Sequence, residues 1–111
     1  MTDKKDTIEE GKSLAILAYI LIIGTLIAWS INSEKKNKFA SFHIRQALGL
    51  DIVFILFGVL VSGFNSWLVT APFHLFVMVL WGFGLAGAVQ GKITYLPFFG
   101  NLFQKWFKKI A

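Results

Sequence analysis

The chain of 111 residues contains no cysteine. This absence excludes disulfide bonds, thiolate metal ligands and a cysteine nucleophile, and it leaves the redox compartment without a marker. The two histidines and the scattered carboxylates form no metal-ligand pattern, and no serine has a base and an orienting partner at a useful spacing. The sequence therefore predicts that the protein is not an enzyme and holds no metal or cofactor.

Charged residues are also scarce. They make up 15% of the chain, whereas hydrophobic residues make up 56%, and an average soluble domain has about 25% charged residues. One small soluble core could not bury so much apolar surface. The net charge is +5, and the lysines lie beside apolar segments, so the expected counter-charge is anionic lipid headgroups rather than nucleic acid. The composition predicts an integral membrane protein in a lipid bilayer.

Three apolar runs, over 13–31, 42–62 and 71–89, follow a polar N-terminal tail at 1–12. A helix needs about 20 apolar residues to cross a bilayer. The expected fold class is therefore an all-α membrane protein, with three transmembrane helices inside a domain at 13–92. A cleaved signal peptide is the alternative for the first run, but its apolar core would be shorter and its head basic. A retained helix is favoured.

The segment at 97–110 has a different character, because aromatic and basic residues alternate there with helical periodicity. It is too short and too charged to span a bilayer. An aromatic face opposite lysines is typical of an amphipathic helix that lies in the membrane interface. Packing of the apolar face on protein is the alternative. The residues expected at the lipid interface are Lys105, Trp106, Lys108 and Lys109.

The distribution of lysine and arginine predicts an orientation. With three spans, the N-terminal tail lies opposite the first loop and the C-terminal helix. Three of the eleven Lys and Arg residues belong to the tail, and the other eight fall on the opposite side. Because Lys and Arg prefer the cytoplasmic side, the prediction is a multi-pass protein of a bacterial inner membrane. Its N-terminus would be outside and its C-terminus cytoplasmic.

The second run is unusual because its first half carries His43, Arg45, Gln46 and Asp51. On a helix His43 and Gln46 are three residues apart and share a face. Arg45 lies on another face, from which a long side chain can reach phosphates. Two interpretations of His43 and Arg45 stay open, namely interfacial anchors and specific contacts between helices.

Asp51 is the hardest of these residues to place in a membrane. It lies about 9 Å of helix rise beyond Arg45, where an acidic group costs about 2.5 to 3.5 kcal/mol unless it is neutral, paired or hydrated. We expect Asp51 to face protein, with Gln90 or Lys92 as candidate partners. A buried hydrogen-bonding role is favoured. The alternative is a proton or cation site in a homo-oligomeric channel or carrier for a small solute or ion.

Two segments, FASFHIRQALGL and WGFGLAGAVQGKITYLPFFG, carry a resemblance to a known family. Together with the first apolar run they resemble the bacterial relatives of Tic twenty, a protein-import component of the chloroplast inner envelope. The chloroplast proteins have four helices, whereas only three spans are found in this chain. The resemblance implies a non-enzymatic subunit or scaffold of an inner-membrane complex, with protein transport as one possible role. The residues expected to contact helices or partners are His43, Arg45, Gln46, Asp51, Gln90, Gly91, Lys92, Leu96 and Pro97.

Overall fold

A computed structural model describes residues 4–96 and 99–108. All regular secondary structure in these residues is α-helical, which confirms the all-α class. The helices are α1 (Lys4–Ala18), α2 (Leu21–Lys35), α3 (Lys38–Ser62), α4 (Trp67–Gln90) and α5 (Gly100–Trp106).

The first apolar run folds as a helical hairpin. α1 ends at Ala18 and α2 begins at Leu21. Beyond the end of α2, the Asn37 side-chain amide donates to the Thr7 carbonyl near the start of α1, at 2.9 Å. These two residues can meet only if α1 and α2 run antiparallel. The prediction of one continuous helix over 13–31 is therefore wrong, and each leg of 15 residues rises only about 22 Å.

The second and third apolar runs lie inside α3 and α4. These two helices, of 25 and 24 residues, are the ones in the described chain that are long and apolar enough to cross a membrane. They run antiparallel, because Phe54 stacks on Phe73 near their turn while His43 contacts the Lys92 carbonyl beyond the end of α4. Pro72 lies in the second turn of α4.

The buried core occupies only one half of the long hairpin. Every hydrophobic residue of the core cluster precedes Asp51 or follows Val79. In that half α1 packs against α2, α3 and α4, and α5 packs on α3. In the other half the described parts of α3 and α4 contact one another and expose large apolar side chains, such as Leu60 and Leu75.

Both ends of the described chain lie at the end of the bundle that holds the core. Arg45 donates to the Lys108 carbonyl at 2.9 Å, and the Gln104 amide donates to the Phe42 carbonyl at 2.8 Å. Gly91, just after α4, lies against Ile8 of α1. The start of α1, the α2–α3 turn and α5 are therefore neighbours, whereas the predicted orientation places the N-terminal tail opposite the C-terminal helix.

Leu21 begins α2 with φ +57°, a left-handed conformation that costs an L-residue about 1 to 2 kcal/mol. Its side chain is 76% exposed, so its removal loses little packing. We expect Leu21→Gly to raise the free energy of unfolding in detergent by about 1 kcal/mol. The matched change Ile23→Gly, at an exposed helical position with negative φ, is expected to lower it by about 1 kcal/mol. Equal losses in both variants would contradict strain at Leu21.

Candidate functional site

His43 is the centre of a buried polar network. Its Nδ1 lies 2.8 Å from the Tyr19 hydroxyl and its Nε2 lies 2.9 Å from the Lys92 carbonyl oxygen. Because a carbonyl only accepts, Nε2 carries the proton and Nδ1 accepts from the hydroxyl. The ring is 0% exposed, and Phe39 and Phe42 pack edge-on against it. The interfacial-anchor interpretation of His43 is therefore wrong, and the residue joins helices.

Gln46 completes the same network from one turn further along α3. Its amide nitrogen donates to the Tyr19 hydroxyl at 3.1 Å, and its carbonyl oxygen accepts from the Leu96 backbone N–H at 2.8 Å. Gln46 is 0% exposed. Together with His43 it ties the tip of α1 to α3 and to the segment that leads into α5. These hydrogen bonds are internal, so the network is suited to fixing the fold rather than to binding a substrate.

The turn between α1 and α2 has few open backbone acceptors. The carbonyls of residues 16–19, at the end of α1, all receive hydrogen bonds. Two come from amides within the turn. The Thr25 hydroxyl donates to the Ala18 carbonyl at 2.6 Å, and the Trp81 indole donates to the Tyr19 carbonyl at 2.5 Å. A turn with its carbonyls satisfied in this way can lie in an environment without water.

Two small residues allow the hairpin to pack closely. A Cβ at Gly24 would overlap the Leu17 carbonyl across the turn. A Cβ at Gly84 would lie 2.7 Å from the Tyr19 ring. Gly84 and Ala88 are four residues apart in α4, a spacing of small residues that indicates close helix packing. At Gly84 the structure has this packing against Tyr19, at the tip of the hairpin.

An apolar cleft of about 500 Å³ lies where the hairpin tip ends against the middle of α3 and α4. Large exposed side chains border it, since Leu21 is 76% and Met78 is 64% exposed. The cleft therefore opens sideways, toward the surroundings of the bundle. Its lining residues are Ala18, Tyr19, Leu21, Ile22, Ile23, Ala47, Leu50, Asp51, Phe54, Val77, Met78 and Trp81.

Asp51 is the acidic side chain in this cleft. Its carboxyl group lies beside the Thr25 hydroxyl of α2, which donates its proton to the Ala18 carbonyl. Its second oxygen, Oδ2, is buried and has no hydrogen-bond partner in the part of the chain that the structure describes. The predicted partners Gln90 and Lys92 are exposed at the end of α4, and Lys92 lies beside His43, about two turns of α3 before Asp51. Asp51 therefore faces protein with its buried Oδ2, as expected, and it also lines the cleft.

The remaining predicted positions are spread over the end that holds the core. Gly91 ends α4 with φ +72°, and Leu96 is buried. Arg45 reaches across to Gln104 of α5 and to the Lys108 carbonyl, two residues beyond that helix. Pro97 lies outside the described residues, as does Lys109. No group of three or more His, Cys, Asp or Glu in the described residues could hold a metal ion.

Some apolar residues of α5 pack on protein, and others are exposed on the surface of the bundle. Phe103 is 2% exposed and lies against Gly49 of α3. Lys105, Trp106 and Lys108 are exposed. One part of the aromatic face therefore packs on protein, and the predicted interfacial residues within the described chain point outward.

Comparison with known proteins gives no relative. No family model, no curated protein and no solved structure matches the chain. The resemblance to the Tic twenty relatives therefore stays a prediction, and the function is argued from the geometry of the chain.

Sequence reasoning missed Tyr19, Thr25 and Trp81, the residues that hold the hairpin tip. Each carries a polar group inside an apolar run. A hydroxyl or an indole N–H buried in such a place needs a partner, and that need is the signal that could have singled them out. That signal does not indicate which residue is the hydrogen-bond partner.

Proposed function

We propose that this protein is a non-enzymatic subunit of a membrane-protein assembly, and that its cleft binds a transmembrane helix of a partner protein. The observation that carries this proposal is Asp51, which lines an apolar, laterally open cleft and whose buried Oδ2 lacks a hydrogen-bond partner among the described residues. Within a bilayer such an acceptor costs free energy until a donor reaches it. A partner helix with an amide, hydroxyl or ammonium group at this depth supplies that donor.

The proposal includes a membrane topology with two spans. α3 and α4 cross the bilayer, and the α1–α2 hairpin enters from one side and returns to it. None of the eleven Lys and Arg residues lies between Asp51 and Gln90, the segment that contains the α3–α4 turn. The preference of Lys and Arg for the cytoplasm then places both ends of the described chain there, in a bacterial inner membrane. This topology replaces the three spans and the outside N-terminus expected from sequence.

The hairpin has the properties that a half-depth segment needs. Its legs are shorter than the hydrocarbon core, which is about 30 Å thick. Non-helical backbone at membrane depth is tolerated where protein groups satisfy it, and the carbonyls of residues 16–19 meet that condition. The outer face of α2 exposes apolar side chains, including Ile23 and Leu26. Lipid is the natural surrounding for this face.

The cleft fits a helix better than it fits a polar solute. Between the hairpin tip and the α3–α4 turn, no third helix of the described chain packs on α3 and α4. A partner helix could pack on them there. The alternative, a channel or carrier that uses Asp51, is disfavoured because residues 52–61 of α3 are all apolar. In a single chain, residues 52–61 of α3 therefore provide no polar side chain to line a path for an ion or solute.

A photoreactive amino acid tests the partner helix directly. We expect a probe at Met78, which lines the cleft, to cross-link to a membrane protein in the source membrane. At the neighbouring Val79, which is similarly exposed but outside the cleft, we expect lipid adducts only. Asp51→Leu should lower the adduct yield at Met78 about threefold or more, because one interhelical hydrogen bond is lost. Asp51→Asn, which can still hydrogen bond, should retain the adduct.

Three results would count against this proposal. Equal protein adducts at Met78 and Val79 would show that the cleft is not the contact. Lipid adducts alone at Met78 would remove the partner helix. Flux through liposomes that contain the purified protein alone, lost in Asp51→Asn, would favour the channel. An adduct with twice the mass of the chain would identify the partner as a second copy.

A further inference from the structure

A second cavity, of about 630 Å³, lies between α2 and the first two turns of α3. Its lining is polar and basic, in contrast to the apolar cleft at the hairpin tip. Among the described residues, no carboxylate lines this groove. The residues that line it are Trp29, Asn32, Ser33, Lys36, Lys38, Ser41 and Arg45. We call it the basic groove.

The basic groove is formed by two facing helical stripes. Trp29 and Ser33 are four residues apart on α2, and Lys38 and Arg45 are seven residues apart on α3, so each pair lies on one face. Lys36 follows α2 as its left-handed C-cap. The helices run antiparallel here. The lysine pair therefore lies at the aqueous end, and Trp29 and Arg45 lie deeper together.

Internal hydrogen bonds fix the walls of the groove. The Asn32 amide donates to the Ser41 hydroxyl at 2.8 Å, which clamps α2 to α3. Arg45 is positioned from the far side by the Lys108 carbonyl at 2.9 Å. Lys36 and Lys38 are exposed at the mouth. Three cations thus line a cavity whose walls are held by internal hydrogen bonds.

We infer that the basic groove binds the phosphate headgroup of an anionic phospholipid. The three cations Lys36, Lys38 and Arg45 suit a phosphodiester, which accepts hydrogen bonds and carries negative charge. The groove leads from the lysine mouth down to Trp29, a residue type that favours the boundary between headgroups and acyl chains. Beyond Trp29 the surface of α2 is apolar, with Leu26 exposed, as an acyl chain requires. A free phosphate would use only the mouth.

This inference rests on the membrane placement of α3 but not on a partner helix in the cleft. It is tested by native mass spectrometry of the full chain in neutral detergent, titrated with phosphatidylglycerol or phosphatidylcholine. We expect one phosphatidylglycerol to bind before others and phosphatidylcholine to bind more weakly. Lys36→Gln with Lys38→Gln should weaken this first event about 25-fold, from about fivefold for each lysine removed.

The matched control removes two lysines that do not line the groove. Lys35→Gln with Lys92→Gln makes the same change in net charge at the same end of the bundle. We expect its affinity to stay within about twofold of the parent chain, because a specific site depends on position and not only on total charge.

Three outcomes would overturn the inference. Equal weakening in the two double variants would show attraction to the whole basic end rather than to the groove. Equal binding of the two lipids would remove the charge recognition. Displacement of phosphatidylglycerol by inorganic phosphate at the same concentration would assign the groove to a free phosphate. Cross-linking at Met78 is unaffected by any of these results, so failure here is distinct from failure of the partner-helix proposal.

Discussion

A membrane-impermeant maleimide is expected to label cysteines at Glu9 and at Lys105 from the same side of the membrane, and a cysteine at Ser66 from the other. The natural chain has no cysteine, so each single variant reports one position. Glu9 and Lys105 are exposed, and Ser66 precedes α4 without a side-chain cap that the substitution would remove. Labelling of intact cells should reach Ser66→Cys. The other two should react only after the membrane is opened.

The physical reason is the return of the hairpin. Thr7 cannot be in contact with Asn37, and α5 cannot be in contact with the start of α3, unless all of these segments lie at one end of the bundle. A third full span over 13–31 would instead move the N-terminal tail to the side of Ser66. The two arrangements therefore differ in which pair of positions reacts together.

The test of the hairpin topology does not depend on which side of the membrane is the cytoplasm. If Glu9→Cys and Lys105→Cys react together from outside, the hairpin topology stands and the orientation is inverted. If Glu9→Cys reacts together with Ser66→Cys, the hairpin topology is wrong. Labelling of all three after permeabilisation is the control for accessible thiols.

Gln46→Leu is expected to lower the free energy of unfolding in detergent by about 2 to 3 kcal/mol. Leucine has a similar volume, so the loss comes from polar groups rather than from a cavity. The Leu96 backbone N–H loses its acceptor in a buried place, which costs about 1 to 3 kcal/mol. The Tyr19 hydroxyl also loses a hydrogen bond.

Gln90→Leu is the matched control, because it makes the same chemical change at an exposed position at the end of α4. We expect it to alter stability by less than about 0.5 kcal/mol. Thermal unfolding of both variants in one detergent gives the comparison. If Gln46→Leu is as mild as its control, the network does not hold the segment before α5, and the position of α5 on α3 has another cause.

The two long helices follow from local composition. Residues 42–62 and 71–89 are predominantly apolar over about the length that a bilayer span needs. The same argument fails for 13–31, which is equally apolar. Length and hydropathy measure whether a segment can cross a membrane, and they do not show whether it turns back.

The polar residues of α3 were found in the sequence but not their partners. The spacing of His43 and Gln46 places them on one face, and both contact Tyr19. Periodicity cannot identify Tyr19, because that contact joins residues 24 or more positions apart. For the same reason Gln90 and Lys92 were expected beside Asp51, where the structure has Thr25.

The sequence by itself determined that this protein is helical, that α3 and α4 can cross a membrane, and that its cations avoid the segment between Asp51 and Gln90. These properties are set by composition and order along the chain. Only the tertiary structure decided that the first apolar run turns back. A turn at residues 19–20 leaves carbonyls without helical partners, and Trp81 supplies one of the missing donors from α4, 62 positions away.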